Sequence, residues 1–302
     1  MKEYLVIDVG GTELKGMLLD ENGKPLLAEV MHAAARSAES KKVILRNFET
    51  MMTALAKCGS GKIAGAALSF PGEFDYEQGI SWIHGLDKYE SIYGVNIREE
   101  LRRMILQEPL RTYFSNPEKT PILFVNDVEA FALGAVDIRG RAFVLEIGTG
   151  AGSAFIEGQK AAPKGVGGVP KNGAIYDQPF CKKRVDDWIS KRGLMAIAKA
   201  MLGEELDGAA LSRRIEAGDV KAEKVYRVFG ELLAEAAEPF LRAYEPEICV
   251  LGGQIMKSFS YFSEPIQTLC HKLQIQIKVI THTSEASFDG MYKILQEKVQ
   301  RQ

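Results

Sequence analysis

The chain is poor in the features that mark several common classes of protein. Its 4 cysteines in 302 residues are widely separated and include no Cys-x-x-Cys pair. Neither a dithiol redox centre nor a local zinc clip is therefore expected. Basic residues (38) fall just short of acidic ones (40), for a formal net charge of -2, which gives no electrostatic footprint for DNA or RNA, and no nucleic-acid partner is expected. No run approaches the roughly 20 apolar residues that a membrane-spanning helix requires. The chain enters an apolar strand at Tyr4, which leaves no room for a signal peptide and sets the expectation of a cytosolic protein.

What is present is a glycine-rich hairpin that occurs twice. Residues 5–19 read LVIDVGGTELKGMLL, and residues 143–157 read FVLEIGTGAGSAFIE. Each is an apolar strand with an acidic residue near its end, a Gly/Thr turn and a second apolar strand. Asp8 stands at the place of Glu146, and Gly10 at that of Gly148. Glycine lets backbone N–H groups close around an oxyanion, and threonine adds a hydroxyl donor. Gly10, Gly11 and Thr12, with Gly148, Thr149 and Gly150, are thus suited to gripping one polyphosphate from two sides.

With 46% apolar residues, a chain of this length can bury one large or two medium cores. The pattern predicts a three-stranded meander over 3–32, a helix over 38–57, a strand over 63–68 and a helix over 96–107. Residues 108–120, with two prolines, read as a crossing between domains. Then the pattern restarts. A strand over 122–125 leads into a helix from Asp127, and the second hairpin follows at 141–157. An irregular glycine-rich stretch precedes three helical stretches over 184–243. A buried strand over 248–251 opens into Gly252-Gly253 and a helix, and a strand over 275–280 precedes a last helix over 285–299. Alternating strands and helices predict α/β architecture. The repeated hairpin predicts two similar lobes, 1–118 and 119–302, with a cleft between them and the last helix packed back on the first.

Asp8-Val-Gly-Gly-Thr12, Ser69-Phe-Pro-Gly72, Asn126-Asp-Val-Glu-Ala130, Ile147-Gly-Thr-Gly150 and Val250-Leu-Gly-Gly253 follow one another in the order seen in the ROK family. The chain resembles that family, which comprises bacterial sugar kinases and related repressors, over nearly its whole length. The resemblance implies two actin-like (ribonuclease H-like) lobes, a sugar substrate, ATP with Mg²⁺, and a homodimer. Asp8 would hold Mg²⁺ or its water shell, or else only cap its turn. Lys15 would neutralise phosphate charge, or else face solvent. Asp127 opens a helix at a strand end, the usual place for ligand groups in α/β sheets. It would take the proton of a sugar hydroxyl or serve only as a helix cap, while Asn126 would fix the sugar. Gly72 belongs to the sugar side. Gly252 and Gly253 would line adenosine or simply permit tight packing. In the loop 81–89, His84 and Asp87 would bond sugar hydroxyls beside Trp82, or merely pin the loop.

One segment departs from the family. ROK kinases typically carry Gly-Glu-x-Gly-His after the second hairpin, the Glu and His touching sugar and the His joining three cysteines around a structural zinc. Here the segment is Lys164-Gly-Val-Gly-Gly168, with Gly165 and Gly168 at those places and only Cys181 soon after. No structural zinc is therefore expected. The resemblance implies glucokinase-like phosphorylation of a hexose or hexose derivative. The alternatives are a kinase for an amino sugar or β-glucoside, and a sugar or nucleotide sensor without turnover. The repressor branch carries an N-terminal helix-turn-helix, and the absence of a segment before the first strand disfavours DNA binding.

Overall fold

A computed structural model describes residues 2–300. Two units are compact in themselves. One comprises the residues up to Gly134 together with those from Ser284 onward, and the other is Ala135–Thr283.

The first unit is built on strands β1 (Lys2–Val9), β2 (Glu13–Leu19), β3 (Met31–Ala34), β4 (Lys62–Phe70) and β5 (Ile122–Asn126), in the order β3-β2-β1-β4-β5. The first three strands pair antiparallel, and β4 and β5 add in parallel. Side chains alternate across a strand, and both faces of β1 are covered. Leu5, Ile7 and Val9 join one core with Phe48, Met52 and Leu55 of helix α1 (Lys41–Cys58). Tyr4 and Val6 join another with Phe288, Met291 and Leu295. A strand covered on both faces reads as an unbroken apolar run, as residues 4–9 nearly do. Helices α2 (Ile97–Ile105) and α3 (Asp127–Ala135) also belong to this unit.

The second unit repeats the plan. Strands β6 (Arg141–Ile147), β7 (Ala151–Glu157), β8 (Lys160–Ala161), β9 (Ile248–Gly252) and β10 (Gln276–Ile280) run in the order β8-β7-β6-β9-β10, again three antiparallel and two parallel. Phe143, Leu145 and Ile147 of β6 pack with Val225, Phe229 and Leu233 of the long helix α6 (Val220–Tyr244). Helices α4 (Lys191–Leu202) and α5 (Gly208–Glu216) precede it, and α7 (Ser263–Lys272) follows. The last helix, α8 (Thr283–Gln300), packs on the first sheet, where the Tyr4 and Tyr292 rings meet edge to face at 5.4 Å.

Two features differ from the sequence reading. Residues 108–120 do not cross between units. Ser115 donates its N–H to Ile63 O (3.0 Å), and β5 then pairs with β4, so both β5 and α3 belong to the first unit. The units divide after Gly134 instead of after residue 118. The third strand also starts late, because the Asp20 carboxylate accepts the N–H groups of Asn22 and Lys24 and holds a turn, after which only an isolated Leu19–Pro25 bridge forms before Met31.

Candidate functional site

The first glycine turn joins β1 to β2, and its backbone is tied down on one side. The Tyr89 hydroxyl donates to Gly10 O (2.8 Å), Ser37 Oγ donates to Gly11 O, and Ala35 N donates to Thr12 O (2.9 Å). In a trans peptide the carbonyl and the next N–H point in opposite directions. Anchoring the Gly10 and Gly11 carbonyls therefore turns the N–H groups of Gly11 and Thr12 the other way. Gly10 behaves differently, since its N–H closes the turn on Glu13 O at 3.0 Å. The outward donors of this turn are therefore at Gly11 and Thr12. Asp8 lies across from Ser69 in the β1–β4 register, and the buried Ser69 hydroxyl donates to Asp8 Oδ1 at 2.6 Å. Lys15 donates from Nζ to Ser284 Oγ at 3.0 Å, on the first turn of α8.

Asn126 ends β5 and Asp127 begins α3. Asn126 supplies the helix cap: its Oδ1 accepts from Val128 N (3.1 Å) and Glu129 N (3.2 Å). Asp127 Oδ1 shares the Val128 N–H at 3.0 Å. Burial raises the Asp127 carboxyl to about 6, with the neighbouring Asp8 charge pushing the same way and Lys88 opposing. Asn126 Nδ2 donates to the Tyr76 hydroxyl (3.2 Å), which in turn lies 3.0 Å from Phe70 O and 3.1 Å from Gly72 O. Gly72, at φ 76, thus holds the tyrosine that holds Asn126. Burial also raises the hydroxyl pKa of Tyr76 and of Tyr89, so both stay protonated donors.

The loop 81–89 is strapped to this turn. Besides the Tyr89 hydroxyl bond, Tyr89 N donates to Ser37 O at 2.6 Å. Glu90 braces the loop from the other end, accepting from Leu86 N (3.0 Å) and pairing with His84 Nδ1 (2.9 Å). His84 is thus engaged by Glu90, with a 79% exposed side chain. Asp87 is exposed at φ 54. The exposed Trp82 packs edge-on against Tyr93, ring centroids 5.4 Å apart. Sequence reasoning passed over Lys88, Tyr76 and Tyr89. No motif marks them, and the left-handed backbone at Asp87 and Tyr89 that sets the loop's path has no glycine to announce it.

In the second unit, the turn between β6 and β7 is one residue shorter. Ile147 pairs with Ala151, whereas Val9 pairs with Leu14. The Gly148 N–H closes on Gly150 O (2.9 Å), and Lys191 N donates to Gly148 O (2.9 Å). Asp186 Oδ1 accepts from Ala151 N at 2.7 Å while its Oδ2 pairs with Arg192, a brace absent from the sequence reading. Thr149 is exposed. Gly252 pairs with Glu146, and Gly253 follows at φ 95. A Cβ on Gly253 would lie 2.3 Å from Ile147 O, so glycine is required for close packing beside this turn. Gly165 and Gly168 have φ 74 and 89. A Cβ on Gly168 would lie 2.6 Å from the Ala243 carbonyl carbon, so this backbone has no room for a histidine. Among the described residues, no group of three or more His, Cys, Asp or Glu side chains is placed to hold a metal ion, and no helix is long and apolar enough to cross a membrane.

Among curated proteins, an N-acetyl-D-glucosamine kinase of Pasteurella multocida is 34% identical over 97 residues, 32% of this chain and 31% of that protein. One of Pectobacterium carotovorum is 26% identical over 191 residues, 55% of this chain and 60% of that protein. The chain thus spans less than two thirds of the length of either relative. Among solved structures, the ROK hexokinase from Thermus thermophilus superposes with a TM-score of 0.77 at 16% identity, covering 99% of this chain and 100% of that one. At that identity the likeness concerns the fold, and it is the fold of a ROK sugar kinase. The ROK family model matches residues 4–290, and the chain belongs to the ROK family.

Proposed function

We propose that the chain is an ATP-dependent kinase that phosphorylates a hydroxyl of a hexose or hexose derivative. The observation that carries this reading is the division of labour at the start of α3. Asn126 caps the helix, which leaves the Asp127 carboxyl for chemistry, and burial and Asp8 poise that carboxyl at about 6. A general base works best with a pKa near the operating pH. In the reaction, Asp127 accepts the acceptor hydroxyl's proton as its oxygen bonds to the γ-phosphorus of ATP, and the bond to the β–γ bridging oxygen breaks to release ADP. Phosphoryl transfer depends mainly on alignment and charge stabilisation. Gly11 and Thr12 are suited to donate to the phosphates, and the turn at Gly148, Thr149 and Gly150, with Gly252 and Gly253 beside it, is assigned to the nucleotide. The second Asn126 amide hydrogen, beyond the one given to Tyr76, is assigned to the sugar.

Mg²⁺, when bound with ATP, would neutralise phosphate charge. Asp8 fits such an ion: Ser69 occupies one of its oxygens and the other remains for a metal-bound water. The absence of a three-ligand cluster among the described residues suits a cation that keeps several waters and is held largely by substrate phosphates.

The names of the curated relatives favour an N-acetylated amino sugar as acceptor, and the family favours a homodimer, which light scattering at micromolar concentration checks. The test of activity is ADP release with Mg²⁺ and ATP across a panel of glucose, N-acetylglucosamine, N-acetylmannosamine and a β-glucoside. Sugar-dependent ADP release with at least one acceptor is expected. A chain that binds ATP and sugar without turnover would be the sensor that the glycines at 165 and 168 otherwise suggest.

A further inference from the structure

Positive charge is scarce in both glycine turns. Neither Gly10–Thr12 nor Gly148–Gly150 contains a lysine or arginine, and Lys15 is bonded to Ser284. Lys88 supplies what these motifs lack. A Cβ built on Gly11 would lie 2.9 Å from Lys88 Cδ and 3.7 Å from its Nζ. The lysine stem therefore lies against Gly11, and its ammonium stands beside the turn. The placement is built by the loop. Tyr89, the next residue, bonds Gly10 O through its side chain and Ser37 O through its N–H, while Glu90 holds Leu86 and His84. Lys88 is partly buried, and among the described residues no carboxylate lies within ion-pairing distance of its ammonium. A lysine ammonium is a compact point charge with three donors, suited to an anion at this turn.

We infer that Lys88 is a catalytic residue whose ammonium contacts the transferred phosphoryl group at the Gly11–Thr12 turn. This rests on the kinase reading above and adds to it the fixed cation that the motifs do not contain. The same charge reaches the base. The charged and titratable groups that interact with Asp127 are Asp8 from β1, Lys88 from the loop and the Tyr76 hydroxyl; Asp8 raises the carboxyl's affinity for a proton and Lys88 lowers it. Removing Lys88 therefore raises the Asp127 pKa and moves the acid limb of activity to higher pH.

The test compares wild type with Lys88→Met and Lys88→Arg. It measures turnover on the best acceptor, the pH profile of kcat/KM, and Mg·ATP affinity by calorimetry. Lys88→Met is expected to lower kcat by about 10²-fold, as the loss of one transition-state charge partner does. It should also weaken Mg·ATP by roughly tenfold and raise the acid limb, with Lys88→Arg recovering part of the loss. A Lys88→Met enzyme within about threefold of wild-type turnover, or one with reduced turnover but an unmoved limb and unchanged Mg·ATP affinity, overturns the inference and leaves Lys88 a packing residue. If wild type transfers phosphate to no sugar, the kinase reading fails by itself. Calorimetry then still decides Lys88, because equal Mg·ATP affinities in wild type and Lys88→Met would overturn it.

Discussion

An aspartate at the first position of a helix is ordinarily read as its cap. Here Asn126 takes two N–H groups and Asp127 keeps only a share of one, which explains how a carboxyl at a helix start stays available for proton transfer. Because its folded pKa of about 6 lies above the ordinary 3.8, the folded state holds the Asp127 proton more tightly than the unfolded chain does. The stability this gives is complete below about pH 4 and is lost as pH rises through 6. Asp127→Asn should therefore gain stability relative to wild type over that interval, by at most about 3 kcal/mol, measured by urea denaturation at pH 4.5 and 7.5. For the wild-type enzyme, kcat/KM should fall about tenfold per pH unit below 6. A profile flat down to pH 5 would show that the group is not the base. Gly168 offers a stability prediction of a different kind. Its positive φ and the nearby Ala243 backbone make Gly168→Ala destabilising by about 1–3 kcal/mol, readable as a lower urea midpoint.

At the scale of elements, the strands and helices were legible because their causes are local. Apolar runs such as Leu5–Val9 and the 3.6-residue spacing of Ile44, Phe48, Met51 and Leu55 point to one structure each. The connection at 108–120 was not legible. Its prolines and Asn116 imitate a linker, whereas the parallel pairing of β4 with β5 that decides its place joins residues more than fifty positions apart and leaves no local signal. The Gly252-Gly253 pair was half legible. The strand end was plain in sequence, but the 2.3 Å approach to Ile147 O depends on the β6–β9 register. Gly253→Ala should therefore push β9 away from the second turn, lowering the urea midpoint by the equivalent of about 2 kcal/mol or more. Unchanged stability would mean that the turn relaxes around a methyl group.

Across the whole molecule, two sheets share one strand order, in keeping with the duplicated hairpin, and the second turn is one residue shorter than the first. Of the candidate site, the glycine turns and Asn126-Asp127 were legible because backbone donors and strand-end carboxylates need particular residues at fixed spacing. Lys88 was not, because a lysine in an irregular loop has no pattern until Tyr89 and Glu90 fix the loop's path. The central claim is that Asp127 takes the acceptor's proton during phosphoryl transfer. Its most direct test is Asp127→Asn, assayed for turnover with the best sugar and for Mg·ATP affinity by calorimetry. The account predicts a loss of about 10²–10⁴-fold in kcat with Mg·ATP affinity nearly unchanged. An Asp127→Asn enzyme retaining more than about a tenth of wild-type turnover would contradict it.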